Sequence, residues 1–228
     1  QELTSIAEVV RAYRQSRVVA LIADTMPEKW DEVAYAYSKW YPVELEINRE
    51  LGGVAEEKAF KRVFAEAVNG RAKVICLVYS INVVNCPDEF ALAKKNDVLL
   101  VMPAHQGNNP KYGVGQEDEH FAYPNVLWAV GHGENKELRN HVDVGPLINI
   151  AAKAETGNSF ASLYMARFLG FLRSHRPDMS AKEICQAVRS CLELTEETKR
   201  WIPNGGIFDS EKALKAVKEY RPENTSAQ

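Results

Sequence analysis

The sequence lacks the features that would tie it to a membrane or to nucleic acid. No stretch of the chain approaches the roughly 18 consecutive apolar residues that a membrane-spanning helix needs. Its 28 lysines and arginines are scattered and outnumbered by 31 acidic residues, so the net charge is −3. A surface for nucleic acid or an anionic membrane would need clustered positive charge. Neither is therefore expected as a partner.

Cysteine is scarce, and its spacing excludes the common cysteine-based sites. The cysteines form no CxxC pair and no Cys/His cluster with the spacing of a zinc site, so neither a metal nor another cofactor is expected. Reduced thiols are typical of cytosolic proteins, and residues 1–12 have the pattern of an amphipathic helix instead of a signal peptide, which predicts a cytoplasmic location. The cysteines are Cys76, Cys86, Cys185 and Cys191.

Histidine is absent from the first 104 residues of the chain. His120 lies in an acidic run that favours its charged form. A metal site combining His120 with His105 and nearby acids would have no recognised spacing. The other histidines, His132, His141 and His175, are expected at the surface or packed against strands. The first part of the chain therefore offers no imidazole that could act as a general base.

What the sequence does contain is the alternation of apolar runs and helical patterns typical of one α/β domain. A chain of 228 residues fits one sheet-centred core, here 17–218, with a flexible tail at 219–228. The start at Gln1 without Met is expected of either a trimmed chain or a domain taken from a longer protein. The alternation predicts a three-layer, doubly wound, mainly parallel sheet with helices on both faces. Strands are predicted at 17–24, 43–47, 73–81, 98–102 and 126–130, with weaker ones at 139–142 and 147–151. Helices are predicted at 3–16, 30–40, 55–68, 87–95, 159–174, 181–192 and 210–219, and a loop at 105–124.

Two polar residues lie where such sheets carry their chemistry, at the carboxyl ends of strands. Asp24 ends the first predicted strand, a place where aspartate is equally typical of a turn or a helix N-cap. Ser159 is expected as the first residue of the long helix. There the helix dipole would stabilise negative charge developing at its hydroxyl. A serine at this place is also a common N-cap, so the residues alone leave both interpretations open.

The segments around these two residues are Val19-Ala-Leu-Ile-Ala-Asp24-Thr25 and Gly157-Asn-Ser159-Phe-Ala-Ser162, and they are accompanied in order by residues 123–131, 144–146, 180–188 and 205–209. Together these segments resemble the subtilisin-like serine proteases, the subtilases. The first resembles the strand of the catalytic aspartate and the second the nucleophile turn Gly-Thr-Ser-Met-Ala, while 123–131 are similar to the family's Tyr-Pro-x-Val-x-x-Val-Gly strand and 205–209 to its closing motif. The match covers most of residues 17–218 and implies a subtilisin-like fold, with Asp24 and Ser159 at two positions of the catalytic triad.

The sequence departs from this family at the positions of the catalytic histidine and of the oxyanion-stabilising asparagine. The family's histidine-bearing helix has its only counterpart in residues 28–35, which places Lys29 at the position of the catalytic histidine. His105 stands at the position of the oxyanion-stabilising asparagine. The loop before Gly157 and the segment after Ser80, which shape the family's substrate cleft, are reduced or changed. Removing the histidine of such a triad costs roughly a millionfold in rate, about 8 kcal/mol.

Proteolysis in this chain would therefore need a different base. Lys29 could serve if burial lowered its pKa, but flanking acids stabilise its charged form. A carboxylate base from Glu28 or Glu32, as in the sedolisins, is a second option. His105 near Ser159 is a third, and a base from another chain or domain is a fourth.

The resemblance and the departures together predict a catalytically degenerate subtilisin-like domain, a pseudoprotease that acts as a binding or scaffolding module. Its partner would be a protein or peptide held near the former cleft, around Asp24, His105 and Ser159. The alternative is an active serine hydrolase that uses Ser159 with a non-standard or partner-supplied base. A third hypothesis makes Ser159 only an N-cap, worth about 1 kcal/mol of stability. Five aromatic residues of the replacement helix would either line the binding surface or pack into the core: Trp30, Tyr35, Tyr37, Trp40 and Tyr41.

Overall fold

A parallel sheet organises the part of the chain that the computed structural model describes, residues 17–21, 45–48, 57–77, 86–104, 122–138, 144–154 and 157–221. Within these residues the sheet has six strands, and every pairing between them is parallel. The strands are β1 (Val18–Leu21), β2 (Leu45–Asn48), β3 (Val74–Leu77), β4 (Leu99–Pro103), β5 (Val126–His132) and β6 (Ile150–Lys153).

The strand order is β2-β1-β3-β4-β5-β6, so the winding direction reverses between β1 and β3. From β1 the chain moves outward to β2, and from β3 it proceeds the opposite way through β4, β5 and β6. Loops that leave two such strands in opposite directions open a crevice at their carboxyl ends, which is where ligands bind in open α/β sheets. The topology therefore singles out one edge of the sheet for function.

Helices cover both faces of the sheet. Buried residues of α3, α4 and α6 form one apolar core with one face, and buried residues of α1 and α2 form a second core with the other. Because each inner strand is covered on both sides, its residues are almost uniformly apolar, and all seven residues of β5 are buried. The helices are α1 (Glu57–Asn69), α2 (Pro87–Lys95), α3 (Gly157–His175), α4 (Ala181–Ser190), α5 (Glu196–Trp201) and α6 (Ser210–Glu219).

Helix starts follow ordinary capping chemistry. Pro87 occupies the first turn of α2, where its missing N–H and fixed φ cost nothing. Ser180 and Glu183 form a reciprocal capping box at the start of α4. The Asp209 side chain accepts a hydrogen bond from the backbone N–H of Lys212 at the start of α6. These local signals explain why these helices begin where they do.

The predicted doubly wound α/β fold is confirmed. The helices at 87–95 and 210–219 have the predicted bounds, whereas the strand predicted at 147–151 begins later, at Ile150. Helix α5 was not predicted. The elements predicted at 3–16, 30–40 and 139–142, and most of the loop at 105–124, lie outside the described residues.

The segment that closes the fold contains a glycine that accepts no side chain. A Cβ atom on Gly205 would lie 2.8 Å from the backbone oxygen of Ile148 and 2.9 Å from the carbonyl carbon of Asn149. This close approach lets residues 205–208 run beside β6, where the Phe208 N–H donates to the Ala151 carbonyl at 2.8 Å. The similarity of residues 205–209 to the family's closing motif thus has a packing cause.

All four cysteines are free thiols, three of them buried. Burial raises the pKa of the Cys185 thiol to about 12, so this thiol stays protonated and behaves as a core residue. Among the described helices, none is long and apolar enough to cross a bilayer.

Candidate functional site

The candidate site lies at the carboxyl edge of the sheet. β1 ends at Leu21, three residues before Asp24, and β4 ends at Pro103, two residues before His105. Helix α3 follows the carboxyl end of β6 and begins at this same edge, because all the strands are parallel. Asp24, Lys29 and His105 themselves lie outside the described residues, as do Glu28 and Glu32. The structure therefore places one of the four predicted site residues, Ser159.

Ser159 is the third residue of α3, and it is half-buried. The sequence predicted it as the first residue of this helix, but the helix begins two residues earlier, at Gly157. Gly157 has a φ of +67°, a left-handed conformation that glycine adopts without strain. The hypothesis that Ser159 is only an N-cap is therefore wrong, since the serine lies inside the first turn.

The first turn of α3 provides a positive electrostatic environment for the Ser159 hydroxyl. The helix is 19 residues long, and its first turn contains no acidic residue. The partial positive charge of the helix N-terminus is thus not offset by a carboxylate in that turn. An oxygen at this place would be stabilised as it gained negative charge, which is the property a nucleophile or an anion-binding hydroxyl requires.

Asn158 anchors this turn to the ends of two strands. Its Oδ1 accepts a hydrogen bond from the Gly131 N–H at 2.9 Å, and its Nδ2 donates to the Ala104 carbonyl at 3.2 Å. The side chain is buried, and Ser162 donates to the Asn158 carbonyl at 3.0 Å. One amide thus joins β4, β5 and α3 beside Ser159. Ala104 immediately precedes His105, so this anchor also fixes the point from which the His105 segment departs.

Among the described residues, no hydrogen bond joins the Ser159 hydroxyl to an imidazole, a lysine or a carboxylate. His132 ends β5, but alternation along the strand places it on the α1 and α2 face with Trp128 and Val130, away from α3. Its Nδ1 lies 2.8 Å from the Gly133 carbonyl oxygen, and burial lowers its pKa. The predicted strand-packing role of His132 is confirmed, and this histidine is not a substitute base.

His175 is also remote from the serine. It ends α3, sixteen residues after Ser159, a separation of about 24 Å along a helix. Its Nδ1 lies 3.0 Å from the Phe171 carbonyl oxygen, and its ring packs edge-on against the Phe171 ring. Within the described ranges, no three His, Cys, Asp or Glu side chains group in a way that could hold a metal ion. His105 and His120 lie outside these ranges.

Sequence reasoning missed the role of Asn158. The segment Gly157-Asn-Ser159 was matched to a family pattern that has threonine at the middle position. That substitution was the available signal, because an amide donates and accepts from two separate atoms and can join two distant partners, whereas threonine does both through a single oxygen. The partners themselves, Gly131 and Ala104, are 27 and 54 residues away along the chain and could not be identified from local pattern.

Comparison with known proteins identifies the fold. No family model matches the chain, and no curated protein matches its sequence. Solved structures do match, in 138 chains, so the assignment does not depend on a single similarity. The A-subunit of the AB5 toxin from E. coli has a TM-score of 0.64 at 14% identity, covering 93% of this chain and 96% of its own.

Two further structures show the same similarity. Fervidolysin from Fervidobacterium pennivorans, a keratinolytic enzyme related to subtilisin, has a TM-score of 0.65 at 13% identity, over 93% of this chain and 44% of its own. The PatG macrocyclase in complex with peptide has a TM-score of 0.63 at 12% identity, over 94% of this chain and 96% of its own. The chain has the subtilisin-like fold.

Proposed function

We propose that this chain, with the fold of the subtilisin-like proteases, is a catalytically degenerate domain that binds a protein or peptide at the carboxyl edge of its sheet. Ser159, Asp24 and His105 belong to that edge by position. They would contact the partner without cleaving it, and Lys29 replaces the histidine that cleavage requires. No metal or cofactor takes part in this proposal.

One observation about the sequence supports the proposed loss of catalysis. No histidine precedes His105, so no imidazole is available in the segment after β1 that corresponds to the family's histidine helix. The histidines that the structure describes, His132 and His175, lie on the other sheet face and at the far end of α3. A serine hydroxyl without a base is a weak nucleophile, because its unperturbed proton stays bound at neutral pH.

The polar groups and the rigid geometry at the start of α3 support a binding role. The first turn of α3 keeps a half-buried hydroxyl in the positive field of the helix, and the buried Asn158 amide holds that turn against β4 and β5. Such a rigid, polar strand edge suits the main-chain carbonyl groups or a carboxylate of an extended peptide. The PatG macrocyclase, which has a similar fold, is described in complex with peptide.

The competing function is an active serine hydrolase, and the placement of Ser159 favours it. The helix dipole and the Asn158 anchor would serve a nucleophile as well as they serve a binding residue. Its base would be Lys29, Glu32, Glu28 or His105, or a group supplied by another chain. The two functions differ in one property, the reactivity of the Ser159 oxygen.

The binding role is tested with a library of random ten-residue peptides displayed on phage and selected against the immobilised protein. Selected peptides are then synthesised with a fluorescent label, and their affinities are measured by fluorescence anisotropy. We expect Ser159→Arg to weaken binding by at least tenfold, because the longer side chain fills the space beside the first turn of α3.

The matched control is Asn96→Arg, which introduces the same side chain at an exposed position before β4, at the opposite edge of the sheet. We expect this variant to bind the selected peptides like the wild type. Equal binding by the wild type and Ser159→Arg would contradict a peptide site at the carboxyl edge, and so would the recovery of no peptide.

A further inference from the structure

A second concave surface lies at the opposite edge of the sheet. It is an open groove of about 730 Å³, bordered by Pro124, which precedes β5, and by Gly205, which packs against the residues that lead into β6. Both borders lie at the amino ends of strands, whereas Ser159 lies at the carboxyl ends. The groove is therefore separate from the site described above. Six further residues define its character: Lys182, Gln186, Arg189, Leu192, Leu194 and Pro203.

One wall of the groove is the polar side of α4. Lys182, Gln186 and Arg189 are exposed and follow one another at intervals of four and three residues, which places them on one helix face. Within the described part of the chain, neither Lys182 nor Arg189 forms an ion pair. Nearby surface cations are paired, as Lys136 is with Glu193 at 2.6 Å. Among the residues that the structure describes, no carboxylate pairs with these two cations, so the groove presents two positive charges.

The other wall is apolar and held in place. In the described residues, Leu194 is the one large apolar residue that is exposed, at 63%. The residue before it, Glu193, exchanges two backbone hydrogen bonds with Ile207, at 2.8 and 2.9 Å. The residue after it, Thr195, caps α5. Since both neighbours are fixed, the exposure of Leu194 is imposed by the backbone.

The border of the groove around Gly205 is also held in place. Gly205 cannot carry a side chain without meeting the backbone of Ile148 and Asn149, so this border packs tightly against the residues that lead into β6. The Asn204 side chain donates to the Pro146 carbonyl at 2.9 Å and fixes the loop that carries Pro203. A preformed groove of this kind binds with little ordering cost.

We propose that this groove binds an extended acidic segment of a partner protein, with two carboxylates on Lys182 and Arg189 and an apolar side chain on Leu194. The two cations lie seven residues apart on α4, about 10 Å along its axis. An extended peptide of the polyproline type presents residues i and i+3 on one face about 9 Å apart. A segment with acidic residues at this spacing and a leucine between them therefore matches both walls.

The test uses the fluorescein-labelled peptide Gly-Glu-Leu-Pro-Glu-Leu-Gly and the full chain, with affinity measured by fluorescence anisotropy at low and at physiological salt. We expect saturable binding that weakens as salt rises, because the contacts are exposed ion pairs. Lys182→Glu with Arg189→Glu should weaken binding by about tenfold or more, since each exposed ion pair supplies a few-fold in affinity. Leu194→Ser should weaken it about fivefold through lost apolar burial.

Two matched controls accompany these variants. Lys58→Glu with Lys215→Glu makes the same change of net charge at exposed positions on α1 and α6 and should bind the peptide like the wild type. A peptide with glutamine in place of both glutamates should bind at least tenfold more weakly. If Lys182→Glu with Arg189→Glu fails to fold, Lys182→Gln with Arg189→Gln replaces it, with an expected loss of about tenfold, because it removes the same two ion pairs as the peptide without glutamates.

Three results would overturn the proposal. The first is no binding of the acidic peptide by the wild type at low salt. The second is a loss of peptide affinity in Lys58→Glu with Lys215→Glu as large as that in Lys182→Glu with Arg189→Glu, which would attribute the effect to net charge. The third is sedimentation of the protein with phosphatidylserine vesicles in a way that depends on Leu194 while the peptide does not bind, which would assign the groove to a membrane surface. Ser159 lies at the other edge of the sheet, so Ser159→Arg should not change binding of the acidic peptide to the groove. Failure of the groove proposal can therefore be distinguished from failure of the proposed function.

Discussion

At the scale of single residues, Asn158 connects the candidate site to the sheet. Its amide satisfies one backbone donor and one backbone acceptor that belong to different strands. A buried N–H without a partner costs about 1–3 kcal/mol, more than a typical hydrogen bond contributes when it forms. The orientation of the first turn of α3, and with it the place of Ser159, depends on this one side chain.

We expect Asn158→Ala to lower the free energy of unfolding by about 1–3 kcal/mol, because the buried Gly131 N–H loses its acceptor. Urea unfolding followed by far-UV circular dichroism measures the change. Ser162→Ala is the control: it removes a buried hydroxyl one turn further along the same helix but leaves no backbone donor unpaired, and it should cost less than about 1 kcal/mol. Equal effects of the two substitutions would contradict the anchoring role.

The lowered pKa of His132 predicts that the stability of the folded protein depends on pH. Burial, opposed by the nearby Gly133 carbonyl and the charge of Glu137, lowers its pKa below the ordinary value of 6.5. The unfolded chain therefore binds a proton at His132 more readily than the folded protein does. The stabilisation that the neutral imidazole provides is complete above about pH 6.5 and is lost as the pH falls below that value.

We expect His132→Gln to flatten the decline in unfolding free energy between pH 7 and pH 5.5 relative to the wild type, because glutamine does not titrate. Denaturant unfolding of both proteins at several pH values measures this difference. His175→Gln is the control, since His175 is half-buried at the end of α3 and packs against Phe171. An identical slope in the wild type and His132→Gln would show that His132 does not contribute.

At the scale of elements, one ion pair joins α3 and α4 to two strands. The Arg173 guanidinium is 4% exposed and pairs with the Asp97 carboxylate at 2.5 Å, and it also donates to the Asp97 carbonyl at 2.7 Å. The second carboxylate oxygen of Asp97 accepts from the Ala181 N–H at 2.6 Å, at the start of α4. A weaker contact reaches the Lys73 carbonyl, just before β3. This cluster secures the edge of the sheet opposite Ser159.

Arg173→Met should lower the free energy of unfolding by about 2–3 kcal/mol, because it removes charge-assisted hydrogen bonds and leaves Asp97 without its cation. Arg173→Lys should recover part of this loss, since an ammonium restores the charge but not the forked geometry. Thermal unfolding measures the stabilities of the three proteins. We expect the wild type to be the most stable, Arg173→Lys to be intermediate and Arg173→Met to be the least stable. A stability of Arg173→Met equal to that of the wild type would contradict the role of this ion pair.

Elements with strong local signals were predictable from sequence, and those that depend on distant partners were not. Helix 87–95 combines Pro87 at its start with acids in its first turn and lysines in its last, so its bounds were predicted. Helix α5 was missed because six residues carry no apolar period, although Thr195 and Thr198 form a capping box. At the start of β6 the Asn149 side chain accepts from the Trp128 N–H at 2.8 Å, while the Asn149 N–H donates to the Trp128 carbonyl at 3.2 Å, so a side chain supplies one of the hydrogen bonds beside the strand.

The same distinction holds for the candidate site. Ser159 was identifiable because a small-residue turn leads into a long apolar helix, a pattern contained in a few adjacent residues. Its exact position was not, because the left-handed Gly157 starts the helix earlier than the serine suggests. The anchor at Asn158 and the groove along α4 were not predicted, since both depend on contacts between residues distant in sequence.

At the scale of the whole molecule, one parallel sheet separates two surfaces. The carboxyl edge carries Ser159 at the start of α3, and the amino edge carries the groove beside α4. The buried strands between them preserve the subtilisin-like fold at 12–14% identity to solved structures, because a parallel core demands apolar residues and not particular ones. Catalysis places stricter demands, since a serine and its base act as a unit, and loss of the base removes nearly all of the rate.

The measurement that tests the central claim most directly is intact-mass analysis after treatment with a fluorophosphonate, which forms a covalent adduct with an activated serine. Wild type, Ser159→Ala and an active subtilisin are treated in parallel between about pH 5 and pH 9, a range that covers carboxylate, imidazole and lysine bases. We expect an adduct on subtilisin and none on either form of this protein at any pH. A single adduct on the wild type that is absent from Ser159→Ala would contradict it and would establish an active serine hydrolase.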